Sequence, residues 1–258
     1  MDGLNKSMYD IGSDSAFAIL ARSQELEKKG NYVINLGIGQ PDFPTPQNVV
    51  EAAIKALRDG HHGYTSSNGI KELRTAVADD FYKRNNVEIN PENILITPGG
   101  KSVIFFTLLM FGEPGAEIIT PDPGFIAYKS MIDYTGATAI PLPHRMENNF
   151  SFDAEELLSL INNKTKLIIL NSPANPTGGV VSEVELKKLA EGLLKFPKVF
   201  VLSDEIYSRI LFDNHKHLSP LHFREIRDRV IVLDGWSKTY SMTGWRLGYG
   251  IYPKEIFG

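Results

Sequence analysis

The chain has 258 residues, 42% of them hydrophobic and 22% charged, which suits one large α/β domain or one domain plus an appendage. With 27 Lys and Arg against 31 Asp and Glu the formal charge is −4, so there is no basic footprint for nucleic acid or an anionic membrane. Cysteine is absent, which excludes disulfides, Cys-ligated zinc and thiol nucleophiles. Residues 1–6 lack the apolar core of a signal peptide, and the longest apolar run, 103–111, is too short to span a bilayer and reads as a buried helix. The expectation is a soluble cytoplasmic protein.

In chain order, an amphipathic helix is predicted near Asp14 to Lys29. An extended stretch rich in Pro and Gly follows, Gly37-Ile38-Gly39-Gln40-Pro41-Asp42-Phe43-Pro44. Residues 1–45 are therefore read as an arm and connector, and residues 46–258 as the large domain. Thr45-Pro46 opens a helix that Gly60 closes. From about residue 94, strand-like and helix-like segments alternate. The strands are predicted at 94–97, 117–120, 138–142, 166–171, 199–203, 230–233 and 246–251. Runs such as Leu167-Ile168-Ile169-Leu170 are apolar throughout, as in strands covered on both faces. Helical spacing fills the gaps. Ser182 and Glu185 have capping-box spacing ahead of Leu186, Leu189 and Leu193, and Asp153 precedes Leu157, Leu158 and Ile161. Such alternation predicts an α/β fold with a mostly parallel, doubly wound sheet.

Ligands of open α/β sheets bind beyond the carboxyl ends of the strands. The first strand runs into Pro98-Gly99-Gly100-Lys101, which suits an anion at a helix N-terminus and equally suits a tight turn. The fourth runs into Asn171-Ser172-Pro173-Ala174-Asn175-Pro176-Thr177-Gly178, where two prolines restrict Asn175. The fifth ends in Asp204-Glu205-Ile206-Tyr207. A carboxylate closing an apolar run needs a partner, unless it caps the next helix. The sixth runs into Trp236-Ser237-Lys238, with Arg246 beyond it. A desolvated lysine near another cation has a lowered pKa and becomes a usable nucleophile. The six histidines carry no site signal, since His215-x-His217 lacks a carboxylate-rich context for a metal. No metal site is expected.

These motifs, in this order, resemble the class I/II aminotransferases of pyridoxal-phosphate (PLP) fold type I: Asn175-Pro-Thr-Gly178, Asp204-x-x-Tyr207, Ser237-Lys238 and Gly244-Trp245-Arg246-Leu247-Gly248. The resemblance extends from Asn35 onward. It implies the large domain of that fold, a seven-stranded mostly parallel sheet with one antiparallel strand at 246–251 and helices on both faces.

It also implies roles. Lys238 would form the Schiff base to PLP and later move a proton at the substrate α-carbon. Asp204 would pair with the pyridine N–H, while Tyr207 and Asn175 would bond the phenolic oxygen. Arg246 with the backbone of Gly99, Gly100 and Lys101 would hold the phosphate. Phe125 would stack on the ring, unless it is simple core. Gly39 would touch the substrate carboxylate. Tyr64 would reach the phosphate site of a second subunit in a homodimer, unless it is a structural turn residue. The substrates would be an amino acid and a 2-oxo acid in a ping-pong cycle.

Two departures stand out. Gly235 occupies a position where many relatives carry a phosphate-binding Ser or Thr, which leaves the hydroxyl to Ser237. The sequence also ends at Gly258, where relatives continue into a small C-terminal domain that supplies an arginine for the substrate carboxylate. That domain is expected to be absent from this chain. Lyase chemistry on the same scaffold, a non-catalytic PLP-binding module and a fragment without turnover remain open readings.

Overall fold

A computed structural model describes residues 15–257. Gly258 and residues 1–14, the part of the predicted arm before the first helix, lie outside them. Seven strands form one sheet: β1 (Ile94–Thr97), β2 (Glu117–Asp122), β3 (Thr138–Pro143), β4 (Thr165–Asn171), β5 (Phe200–Asp204), β6 (Val230–Gly235) and β7 (Gly248–Ile251). Their order across the sheet is β1-β7-β6-β5-β4-β2-β3. β7 is antiparallel to both neighbours, and the remaining pairs are parallel. The predicted topology is therefore observed.

Helices cover both faces. On one, α3 (Lys71–Asn85), α6 (Ala154–Ser159) and α7 (Glu183–Leu193) pack Phe81, Leu157, Leu189 and Leu193 against Ile168, Leu170 and Val232 of the sheet. On the other, α4 (Gly100–Phe111) and α5 (Ile126–Thr135) pack Ile104, Leu108 and Ile132 against Ile118, Leu167 and Leu202. Fully burying one such side chain stabilises the fold by about 1.5–3 kcal/mol. Three further helices, α1 (Ser15–Lys28), α2 (Gln47–Arg58) and α8 (Lys254–Phe257), flank this body. Among the described residues no helix is long and apolar enough to cross a membrane.

Four local expectations are corrected. The capping box at Ser182 is only half made. Ser182 Oγ accepts from the Glu185 N–H at 3.2 Å, but the Glu185 carboxylate accepts from the Ala154 N–H at 2.7 Å and so caps α6 instead. The apolar run in α4 is not wholly buried. Val103, Ile104, Thr107 and Leu108 face the core, whereas Phe106, Leu109 and Met110 are exposed. The seventh strand starts at Gly248, because Thr243–Trp245 form a 3-10 turn and Arg246 takes a left-handed conformation with φ 56°. Finally, no α-helix joins β5 to β6. Short 3-10 turns at Pro220–His222 and Arg227–Arg229 do so, because this segment presents polar anchors rather than an apolar stripe. Residues 31–36 of the arm form no regular secondary structure, and Tyr32, Ile34 and Leu36 are exposed.

Candidate active site

The carboxyl ends of β2, β4, β5 and β6 meet the turn after β1 along one rim of the sheet. Lys238 lies in the loop that follows β6. Its turn is closed by N–H donation from Tyr240 to the Trp236 carbonyl and from Met242 to the Ser237 carbonyl, both at 3.1 Å. The Lys238 amine donates to the Gly39 carbonyl at 2.5 Å, which brings the arm over the rim. Thr45 Oγ1 fastens the same arm to the loop, donating to the Ser241 carbonyl at 2.8 Å. Burial lowers the pKa of Lys238, and the positive charges of Arg246 and Lys101 lower it further. More of its amine is neutral near pH 7–8 than for an ordinary surface lysine.

The anion end is built from backbone. Gly99 has φ +85° and caps α4, whose first N–H groups point toward the rim. A Cβ on Gly99 would lie 2.2 Å from Arg246 Nη2, so only glycine lets the guanidinium settle against this turn. A Cβ on Gly248 would lie 2.7 Å from the Gly100 nitrogen, so β7 must also be bare here. Arg246 is itself braced by donation from Nη1 to the Thr243 carbonyl at 2.9 Å. The Lys101 ammonium sits 5.4 Å from the centre of the Phe125 ring. The missing hydroxyl at Gly235 has a steric reason. A Cβ there would approach the Gly248 Cα to 3.0 Å and the Leu247 carbonyl to 3.2 Å. Ser237 is buried next to Lys238.

Asp204 closes β5 and is buried. No helix follows it, so it is not a helix cap. One carboxylate oxygen accepts from Tyr128 Oη at 2.7 Å, the other from the Ile206 N–H at 3.2 Å. Among the described residues no lysine or arginine pairs with it. Burial pushes its pKa up to about 6, against the pull of the Tyr128 and Ile206 hydrogen bonds. Tyr207 lies nearby with its ring centre 5.9 Å from the Lys238 amine. Burial and the Asp204 charge raise its pKa. Asn175 joins through Asn171. The Asn175 N–H donates to Asn171 Oδ1 at 2.7 Å, and Asn171 Nδ2 donates to the Asp204 carbonyl at 3.1 Å. Phe125 meets Tyr128 edge-on with centroids 5.6 Å apart.

Lys238, Arg246, Gly99, Gly100, Lys101, Gly39 and Tyr207 thus share the rim, as do Asp204, Asn175 and Phe125. Tyr64 is fully exposed and does not join them. Tyr128 and Asn171 are site residues that sequence reasoning missed. The available signal for Tyr128 was its position three residues after Phe125, on the same face of a helix that starts at a strand end.

His217, which carries no signal in the sequence, has a buried partner. Glu205 is fully buried and accepts from Ser219 Oγ at 2.6 Å and Ser203 Oγ at 3.0 Å, and its other oxygen lies 2.9 Å from His217 Nε2. Burial alone would raise the Glu205 pKa. The His217 charge and the three hydrogen bonds outweigh it and leave the group below the usual range. Burial would likewise lower His217, but Glu205 holds it above. The carboxylate's contribution is present above about pH 4.5 and is lost as pH falls through its depressed pKa. The imidazolium's is present below about pH 6.5 and is lost as pH rises through its elevated one. Removing one partner strands a buried charge, so His217→Ala should lose about 3–5 kcal/mol of stability. Urea unfolding at pH 6 measures this, and an unchanged midpoint and slope would contradict the pairing.

Comparison with known proteins adds a family. Residues 31–257 match the model described as "Aminotransferase class I and II". A probable aspartate/prephenate aminotransferase of Rickettsia felis is 38% identical over 257 residues, covering 99% of this chain and 63% of its own length. The aspartate aminotransferase of Bacillus subtilis is 34% identical, with 98% and 64% covered. The solved aspartate aminotransferase of Thermus thermophilus with maleate superposes with a TM-score of 0.94 at 34% identity, with 100% of this chain and 66% of that one covered. The chain therefore spans about 64% of the length of the curated relatives it matches. A match across residues 31–257, on a sheet of the same topology and with the rim just described, makes this chain a member of the class I and II aminotransferase family.

Proposed function

We propose that the chain is the cofactor-binding part of a PLP-dependent aminotransferase that moves an amino group between an L-amino acid and a 2-oxo acid. Residues 46–258 form its large domain and residues 1–45 its arm. One observation carries the reading. The positive charges of Arg246 and Lys101 bear on the Lys238 amine beside the N-terminus of α4, while among the described residues no lysine or arginine pairs with the buried carboxylate of Asp204. An anionic group at one end and a protonated ring nitrogen at the other complement that arrangement. The bare Gly99 turn, against which the Arg246 guanidinium lies, and the neutral-leaning Lys238 amine suit an aromatic aldehyde phosphate.

Bound PLP would supply an electron sink for charge developing at the substrate α-carbon. The residues of the chain do the rest. Arg246 and the N–H groups of Gly100 and Lys101 hold the phosphate, with Ser237 as the local hydroxyl. Asp204, oriented by Tyr128, keeps the ring nitrogen protonated. Asn175 and Tyr207 bond the phenolic oxygen, and Phe125 packs against the ring. The Lys238 amine moves a proton to and from the α-carbon. Gly39 lies where the arm meets the substrate carboxylate, and Tyr64 projects outward to complete the site of a second copy in a homodimer. The names of the relatives make aspartate the first donor to test. The cytoplasm is the compartment that fits a chain with no cysteine.

The test is chemical labelling. Incubation with PLP followed by borohydride should place one pyridoxyl group on the peptide that contains Lys238. Labelling spread evenly over surface lysines, with Lys238 no faster than the rest, would remove the reading.

A further inference from the structure

We propose that Arg209 is a positioning residue for Lys238, holding the lysine loop through a hydrogen bond to Tyr240 in a polar network anchored on α3. This rests on the reading of Lys238 as the reactive amine.

Arg209 lies two residues after Tyr207. Its Nη1 donates to Tyr240 Oη at 3.0 Å, and its guanidinium carbon stands 5.6 Å from the centre of the Tyr240 ring. The planar fork can make both contacts at once, which an ammonium cannot. Its Nη2 bonds Asp80 of α3. Asp80 also accepts from Arg84 Nε at 2.9 Å. Arg84 then reaches Asp234, with Nη2 3.4 Å from its carboxylate. The same Asp234 oxygen accepts from Tyr249 Oη at 3.0 Å, and the other accepts from the Gly235 N–H at 2.7 Å.

The consequence is geometric. Asp234 lies four residues before Lys238 and Tyr240 lies two after it. One network, running from Tyr240 through Arg209, Asp80 and Arg84 to Asp234, grips both ends of the loop that presents the amine. The far end is rigid, because Asp80 and Arg84 sit one turn apart on a helix whose Phe81 is fully buried. Four opposite charges are drawn together, two of each sign. Asp234 is buried even so, and desolvation pushes its pKa up to about 6 despite Arg84, the Gly235 N–H and Tyr249. A neutral side chain would satisfy the Gly235 N–H at less cost to the fold. An ion network kept at the end of β6 therefore specifies the loop geometry. Arg209 also follows Tyr207 closely, so the same contact couples the two loops that would flank the cofactor ring.

The experiment compares the 258-residue chain with Tyr240→Phe, Arg209→Met and the double variant. Tyr240→Phe removes only an oxygen, so it keeps the ring and the fold. The first readout is the rate at which PLP and borohydride label the Lys238 peptide, with the other lysines as internal controls. The second is amide hydrogen exchange of residues 235–241, which needs no cofactor. Each single variant should slow Lys238 labelling about tenfold while the other lysines are unchanged. The double variant should be no slower than the slower single one, as expected for two halves of one contact. Exchange in residues 235–241 should rise in all three.

Lys238 labelling within twofold of the parent, with unchanged exchange, would overturn the inference. So would slowing that is multiplicative in the double variant. If the parent chain itself fails to label at Lys238, the proposed function fails, and the exchange measurement alone then decides whether Arg209 holds the loop.

Discussion

Lys238→Ala should abolish the borohydride-trapped adduct with PLP at this site, leaving only the slow labelling of unplaced surface amines. The size of the effect follows from placement. A nucleophile held against its target gains on the order of 10⁵ M or more in effective concentration over the same group free in solution, and Lys238 combines a place on the rim with a depressed pKa. Lys101 shares the rim, but its ammonium is directed at the Phe125 ring. The pH dependence carries a sign that can be checked. The neutral amine is the reactive form. Burial first, then Arg246 and Lys101, shift Lys238 below an ordinary lysine. Its labelling rate should therefore rise with pH and level off at a lower pH than the bulk lysines. In Lys238→Ala the phosphate end is intact, because Arg246, Gly99 and Gly100 do not depend on the lysine for their geometry. Reversible PLP binding should survive the loss of the covalent product. An adduct of undiminished rate in this variant, at any other position, would end the assignment of Lys238.

Much of this architecture was legible from the order of residues because each strand ends on a chemical punctuation mark. Pro98-Gly99-Gly100, Asn171 to Gly178, Asp204 and Gly235 to Lys238 stand where apolar runs stop. A carboxylate or lysine directly after such a run falls beyond the carboxyl end of a strand, where open α/β sheets bind their ligands. The strand boundaries were found to within one or two residues for the same reason. What escaped was tertiary in origin. Glu185 looks like the second half of its own capping box, and only the proximity of α6 to α7 shows that it serves Ala154 instead. His217 carries no site signal until Glu205, at the other end of the same loop, is seen to face it. Tyr128 carries no motif, and its hydroxyl gains meaning only from meeting Asp204 at 2.7 Å. Gly235 reads as a defect in a motif, yet a Cβ there would crowd the Gly248 Cα of the paired antiparallel strand at 3.0 Å. Contacts between distant segments leave no local periodicity, so pattern reasoning has nothing to register there.

Asp204→Asn separates function from stability more sharply than any other substitution here, since the two should move in opposite directions. The carboxylate is buried with no cationic partner among the described residues, and its pKa climbs from 3.8 to about 6. A carboxyl raised in the folded state binds its proton more tightly there than in the unfolded chain. The fold therefore loses stability as pH rises from about 4 to 6, and the loss persists above that range, on the order of 3 kcal/mol. Asparagine has the same shape and no charge. Its carbonyl can accept from the Ile206 N–H, and its amide can donate to Tyr128 Oη, because a phenol serves as donor or acceptor. The variant should thus unfold at a higher temperature than the parent at pH 8, and the gain should vanish near pH 4. Catalysis should go the other way. An amide cannot keep a pyridine nitrogen protonated, so in a protein of the relatives' full length the variant should lose about three orders of magnitude in rate, on the order of 4 kcal/mol of transition-state stabilisation. A strained or destabilising group retained at a strand end is what a working site requires and a purely structural one does not. Equal rates in the two proteins would show that Asp204 faces no ring nitrogen. A lower unfolding temperature in the variant at pH 8 would show that the carboxylate is stabilising where it stands, and with it would go the argument that its charge waits for a partner from outside the chain.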